Sequence, residues 1–284
     1  MKKKPDYTNI VLLLVFFIGL SVLLYPSVSN WWNSRVQSRT IVNYEAMLNA
    51  FKPEDYTEEF RKADEYNAAI RQISYPLMYY DQVPGYEEAL NITGNGIMGY
   101  VSIEKIQVEL PIYHGTGDSV LNIAVGHVQG TSLPSGGPST HSVLSAHRGL
   151  PSARLFTDLD KLQVGDIFTL NILDRVLTYQ VYKIEIVLPH EVDSLYPVEG
   201  EDYCTLTTCT PYGINTHRML VHGTRVETPE SKNIYIASDA FPISSLILTP
   251  IVAAPMLLVL LIVLMVKHPS KKPDTQERSP DLDD

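Results

Sequence analysis

The chain has 284 residues, 45% hydrophobic and 19% charged, enough for one large or two small domains with a buried core. A net charge of −10 and a pI near 5.3 argue against a general nucleic-acid binder. Two cysteines are too few for a disulfide-stapled scaffold.

Residues 1–8 begin with "MKKK", and the stretch Asn9–Tyr25 that follows is apolar and uncharged. It approaches the ~20 residues that cross a bilayer as a helix, so a span is expected over 9–29. Trp31 and Trp32 suit its outer interface. A cleaved signal peptide is the competing reading, with Ser27-Val28-Ser29 as a small-x-small site, but the apolar run is longer than a usual h-region.

Residues 30–95 read as an external helical region ending in a loop. "RTIVNYEAMLNAF" places Ile41, Tyr44, Met47 and Leu48 at helical steps. Pro53 opens "PEDYTEEFRKADEYNAAI", with acids in the first turn as a start signal. These two helices form a stalk, a packing lid, or both. "SYPLMYYDQVPGYEEALNITGNG" then breaks the pattern with prolines 76 and 84 and glycines 85, 94 and 96.

From 96 to 228 the chain reads as strands. "MGYVSIEKI", "VELPIYHG", "IAVGHV" and "HSVLSAH" are short β-rich runs bounded by glycine, proline or serine. "SARLFTDLDKL" is expected to be a short helix. Then come "GDIFTLNIL", "RVLTYQVYKIEIVL", with a hairpin corner at Asp174-Arg175, "DYCTLTTC" and "HRMLVHGTRV". About eight short strands predict a mainly β fold, a closed barrel or a sandwich. Residues 229–244 form a linker. Leu246–Val266 is uncharged and followed by Lys267, Lys271 and Lys272, which predicts a second span over 245–266. Pro250 and Pro255 lie in its early turns, where a membrane helix tolerates them. The tail 267–284 is polar, Pro-rich and expected to be disordered. Lysines outside both spans put both termini in the cytoplasm and the region between them outside.

Both cysteines lie in "DYCTLTTCTPYGINTHRMLV". In a strand, Tyr203, Thr205, Thr207 and Cys209 share one face, and Cys204, Leu206 and Thr208 share the other. Five extended residues separate the two α-carbons by about 16 Å. A disulfide needs less than about 7 Å, so the thiols are free. Metal-ligand spacing is absent too. Cys204 reads as a small core hydrophobe, and Cys209, at the strand end, as the displayed thiol. An antiparallel return through 210–216 sets Arg218 opposite Cys209, where it could stabilise a thiolate or an oxyanion, or be a solvated surface arginine. A thiol nucleophile also needs a proton acceptor. His127 and His147 both end strand-like runs before a glycine, and the residues alone do not choose between them. His217 should face away from Arg218. His114, His141, His190 and His222 carry no distinguishing mark.

"TLTTC" with an arginine nine residues on, and "SAHRG" upstream, resembles the sortases, cysteine transpeptidases on the outer face of Gram-positive bacteria. The flanks "GHVQGTSLPSGGPSTHSVLSAHRGLPSARLFTDLDKLQVGD" and "TCTPYGINTHRMLVHGTRV" resemble class C, the pilus-assembling branch, over about 96–226. The resemblance implies a closed barrel of about eight strands, with His147, Cys209 and Arg218 as the catalytic residues and His127 as a structural one. It implies cleavage of an LPxTG-like sorting signal between Thr and Gly through a thioester on Cys209. A pilin lysine amine then takes the acyl group. The partners are pilins or surface proteins bearing that signal, in the cell membrane, and no cofactor or metal is required. Two other outcomes are a sortase anchoring proteins to peptidoglycan and an inactive barrel binding sorting tails. Many class C enzymes carry an Asp-Pro-aromatic lid motif near this point in the chain. Tyr75, Pro76 and Leu77 stand there instead, which predicts a lid over 74–80 that is weakly latched or has another role.

Overall fold

The computed structural model describes residues 8–228, together with 255–259 and 262. The linker 229–244, most of the second expected span and the tail 267–284 lie outside the described residues, although 255–259 and 262 are helical. The described residues fall into two units, one reaching Val28 and including those of 255–262, the other beginning at Ser29.

Helix α1 (Thr8–Leu48) takes up the first expected span and the helix after it in one piece, with Pro26 inside. It is long and apolar enough to cross a membrane. Its later turns dock on the rest of the second unit by polar ties. Asn33 Nδ2 donates to the Ser152 carbonyl (2.8 Å) and Gln37 Nε2 to that of Ile123 (2.7 Å). The buried Tyr44 hydroxyl donates to the Met98 carbonyl (2.9 Å) and accepts from Leu173 N–H (2.9 Å). Burial pushes this phenol far above its ordinary pKa, so it stays a donor.

Helix α2 (Pro53–Ile70) starts as expected, with Pro53 in the first turn and Asp55 accepting the Lys52 N–H (2.9 Å). Phe60, Ala63, Tyr66, Asn67 and Ile70 recur at helical spacing and are buried. Asn67 holds the loop ahead of the fourth strand, accepting from Leu133 N–H (2.7 Å) and donating to the Leu133 carbonyl (3.2 Å) and Ser135 Oγ (3.0 Å).

Eight strands follow: β1 (Ile97–Ile103), β2 (Val108–His114), β3 (Val125–His127), β4 (Thr140–Ser145), β5 (Ile167–Ile172), β6 (Arg175–Val187), β7 (Asp202–Thr210) and β8 (His217–Val226). They close in the order β1-β2-β3-β4-β7-β8-β6-β5. The β2–β3 and β4–β7 pairs are parallel and the others antiparallel. The inward residues of these strands, among them Ile112, Leu144, Phe168, Leu170, Leu206 and Val221, form the core with the buried face of α2. Phe168 and Tyr179 stack at 5.6 Å, and Gly223 gives them room: a Cβ there would stand 2.6 Å from Phe168.

Two local expectations are corrected. "SARLFTDLDKL" holds only a 3₁₀ turn at Leu159–Lys161. Its backbone is used for tertiary ties instead: Arg154 N–H donates to Asn30 Oδ1 (2.9 Å), Phe156 N–H to the His147 carbonyl (3.2 Å), and Leu155 takes a positive φ of 39°. The β5–β6 corner is Leu173-Asp174 rather than Asp174-Arg175, with Leu173 at φ 51°.

Candidate active site

The site follows from strand register. In β7–β8, Cys209 pairs directly with Arg218, so their side chains leave the sheet on the same face. In the parallel β4–β7 pair, Ser145 stands beside Thr207, and Ala146 N–H continues the ladder to the Thr207 carbonyl (3.2 Å). β4 ends at Ser145, and His147 stands two residues beyond it, the position that a continued register would set toward Cys209. Cys209 and Arg218, with His147 just beyond the end of β4, make up a row at this end of the barrel, each partly exposed.

Short ties hold each member of the row. Thr208 Oγ1 donates to the Ala146 carbonyl (2.8 Å), fastening the residue before His147 to β7. After His147, Arg148 pairs with Asp160, and Gly149 N–H donates to Thr157 Oγ1 (3.2 Å). Gly149 sits at φ 77°, a conformation that favours glycine, with the exposed Tyr212 ring of the β7–β8 turn 2.9 Å from where a Cβ would stand. In that turn Ile214 N–H and Asn215 N–H both bond the Pro211 carbonyl, at 3.1 and 3.0 Å. Arg218 Nη1 donates to the carbonyls of Asn215 (3.3 Å) and His217 (3.2 Å). Its Nη2 and Nε hydrogens remain for an acceptor in the groove. Among the described residues no carboxylate forms an ion pair with it.

The other candidates separate cleanly. Cys204 is fully buried in the core, and burial pushes its thiol well above the ordinary range, which suppresses the thiolate a nucleophile needs. Both cysteines are free. His127 is also fully buried, between the Tyr86 hydroxyl (3.0 Å at Nδ1) and the Ser132 carbonyl (2.8 Å at Nε2). That carbonyl only accepts, so Nε2 carries the hydrogen. Burial pushes the imidazole down to about 3, and His127 is a neutral structural residue. His217 bonds Thr216 Oγ1 (2.9 Å) outside the row.

Tyr75, Pro76 and Leu77 lie in an irregular segment whose Tyr75 has φ 60° and is exposed. Pro76 and Leu77 rest directly on Gly130, where a Cβ would meet the Pro76 carbonyl oxygen at 2.5 Å. Together with Val192–Pro197 they wall a cavity of about 610 Å³. A larger cavity, about 750 Å³, is lined by Asp202 and Arg225, at the opposite ends of β7 and β8 from Cys209 and Arg218, and contains none of the row.

Sequence reading passed over His141 and His222. Both are buried, and both bond Thr205 Oγ1 at 2.7 Å. The available signal was strand parity: Thr205 shares a face with Cys209, and His222 with Arg218.

Chemically, this end of the barrel presents a thiol, an imidazole and a guanidinium, all partly exposed. These are the parts of acyl transfer through a thioester.

Residues 101–226 match the sortase domain family. The chain is 29% identical over 137 residues to sortase A of Streptococcus agalactiae, covering 47% of this chain and 55% of that protein. It therefore spans about half the length of that curated relative. Sortase C1 of S. agalactiae matches with TM-score 0.62 and 46% identity, over 67% of this chain and 100% of that one. Sortase C of Streptococcus pneumoniae, whose structure is described in terms of catalysis and pilin substrate specificity, matches with TM-score 0.59 and 40% identity, over 67% and 97%.

Proposed function

We propose that this chain, which belongs to the sortase family, is a membrane-anchored cysteine transpeptidase that joins pilin subunits. The observation carrying this reading is the row itself. Register puts Cys209 and Arg218 on one face, β4 leads into His147 two residues past its end, and Cys204 is sealed in the core.

In this reading the Cys209 thiolate attacks the threonine carbonyl of an LPxTG-like signal. Arg218 donates to the oxyanion of the tetrahedral intermediate. As the Thr–Gly C–N bond breaks, His147 gives its proton to the departing glycine amine, leaving a thioester on Cys209. A pilin lysine amine attacks the thioester, passes a proton to His147 and releases the thiolate as an amide forms. The chemistry draws on no group beyond these side chains and the two substrates.

Similarity to class C structures at 46 and 40% identity supports a pilin lysine over a peptidoglycan amine as acceptor. Helix α1 supports a membrane anchor. The spans at 9–29 and 245–266 make it two-pass with the barrel outside, a topology that cysteine labelling of the tail from each side of the membrane tests. The acceptor is tested by incubating the full chain in detergent with an LPxTG-type donor peptide and either a lysine-bearing pilin or a peptidoglycan stem peptide. Covalent pilin–peptide product is expected; product with the stem peptide alone contradicts the pilin assignment.

A further inference from the structure

Three buried polar side chains on the outer face of the catalytic strands have no part in the chemistry above. His141 on β4, Thr205 on β7 and His222 on β8 are each at most 1% exposed. They stand on β4, β7 and β8, on the face shared by Cys209 and Arg218, four residues or about 13 Å along β7 from Cys209.

Their hydrogen bonds form one chain. His141 Nδ1 faces the Tyr196 carbonyl (3.2 Å), which only accepts, so Nδ1 carries the hydrogen. At the far end His222 Nε2 faces Glu185 Oε1 (3.0 Å). Against its own desolvation, Glu185 is held down to about 2 by bonds from Lys183, Ser194 and His222, so it is ionised and His222 Nε2 donates. Burial pushes both imidazoles below their ordinary value, His141 to about 4. His141 Nε2 and His222 Nδ1 stand on either side of Thr205 Oγ1, at 2.7 Å each. The hydroxyl has one hydrogen, so it donates to one ring and accepts from the other, and among the described residues it joins the two halves.

Both ends of this chain grip the same segment. Tyr196 and Ser194 lie in the 188–201 connection, which contains a 3₁₀ turn at Asp193–Leu195. It leaves β6 at Val187, the residue paired with Arg218, and re-enters the barrel at β7. Its return end is tied by Gly200 N–H to Ser139 Oγ (2.9 Å) and by the Glu201 carbonyl to Thr140 N–H (3.1 Å). Between those ties and β6, the described side-chain ties from β4, β6, β7 and β8 come from this chain.

We propose that Thr205, with His141, His222 and Glu185, is a positioning group that pins the 188–201 connection beside Arg218, where the connection shapes binding of the acyl-donor peptide. The kinetic half of this rests on the transpeptidase reading; the pinning does not. Losing Thr205 Oγ1 strands two buried ring nitrogens and unfastens the connection, while the row stays in register.

The test uses the full chain in detergent micelles, with Thr205→Val, Thr205→Ser and Ser194→Ala. The readouts are amide hydrogen exchange, steady-state cleavage of an LPxTG-type peptide, and the pH profile of Cys209 alkylation by iodoacetamide. Thr205→Val should speed exchange over 192–197 by roughly tenfold, the loss of about one buried hydrogen bond. It should raise KM by a similar factor, with kcat and the alkylation profile unchanged, and Thr205→Ser should restore both. Ser194→Ala, a half-buried residue of the connection itself, should speed the same amides by a smaller factor, so it carries the test if the valine variant does not fold. The proposal is overturned by unchanged exchange over 192–197 in both Thr205→Val and Ser194→Ala, by equal losses in Thr205→Ser, or by a shifted alkylation profile. If the wild-type chain cleaves no peptide yet loop exchange responds as stated, the transpeptidase reading falls and the pin stands.

Discussion

Cys209 and Cys204 are five positions apart on one strand and chemically opposite, because alternation sends one to the groove and the other to the core. Their variants should separate accordingly. Cys204→Ser buries a hydroxyl with no designed partner and should cost about 1–3 kcal/mol in urea unfolding, with peptide cleavage per folded molecule retained. A Cys204→Ser chain that folds normally but cleaves nothing would contradict the assignment. Arg218→Gln removes the fixed charge while keeping a polar side chain, and should lower kcat by roughly 10²–10³ with little change in KM. A KM-only effect would make Arg218 a binding residue. Part of this was legible in the sequence: parity divided the cysteines, and the turn set Arg218 opposite Cys209. The choice of His147 over His127 came from family resemblance. The structure supplies a physical reason, since His127 is sealed between Tyr86 and Ser132 whereas His147 is partly exposed in the row.

At the scale of elements, all eight strands were readable, because runs of valine, isoleucine and tyrosine punctuated by glycine and proline leave few alternatives. The 152–162 segment misled because its helical periodicity competes with tertiary ties to Asn30 and His147 that local sequence does not report. The His141–Thr205–His222 chain was hidden for a related reason. It is assembled from side chains on β4, β6, β7 and β8 and packed by the rings of Tyr182 and Tyr203, a juxtaposition that no local pattern reports. The lid belongs to this scale as well. Because Pro76 and Leu77 rest on Gly130, Gly130→Ala should lift the segment from its seat, and φ 86° makes the substitution strained in any case. If the segment gates the site, peptide hydrolysis should rise in Gly130→Ala and in a deletion of 74–80. A hydrolysis rate unchanged by both would leave it a structural strap.

For the molecule as a whole, buried neutral histidines tie stability to pH. His127 and His141 are lowered to about 3 and about 4, chiefly by desolvation, whereas the unfolded chain titrates near the usual ~6.5. Their stabilisation is fully present above that unfolded value. It is lost as pH falls through the window down to about 4, since the unfolded state takes up protons that the native state refuses. Two such groups give a slope of roughly 2–3 kcal/mol per pH unit between about pH 6 and 4. Burial raises the carboxyls of Glu109 and Asp202, which opposes the loss at the acid end, so the histidine slope should be clearest above about pH 5. Urea midpoints measured across that range should fall with acid, and a flat profile would contradict the neutral assignments. The central claim concerns one bond, and mass spectrometry reads it directly. The full chain in detergent, incubated with an LPxTG-type peptide and quenched in acid, should carry the peptide up to its threonine as a thioester on Cys209. The adduct should be absent in Cys209→Ala. An adduct on Cys204, or cleavage retained in Cys209→Ala, would contradict the account.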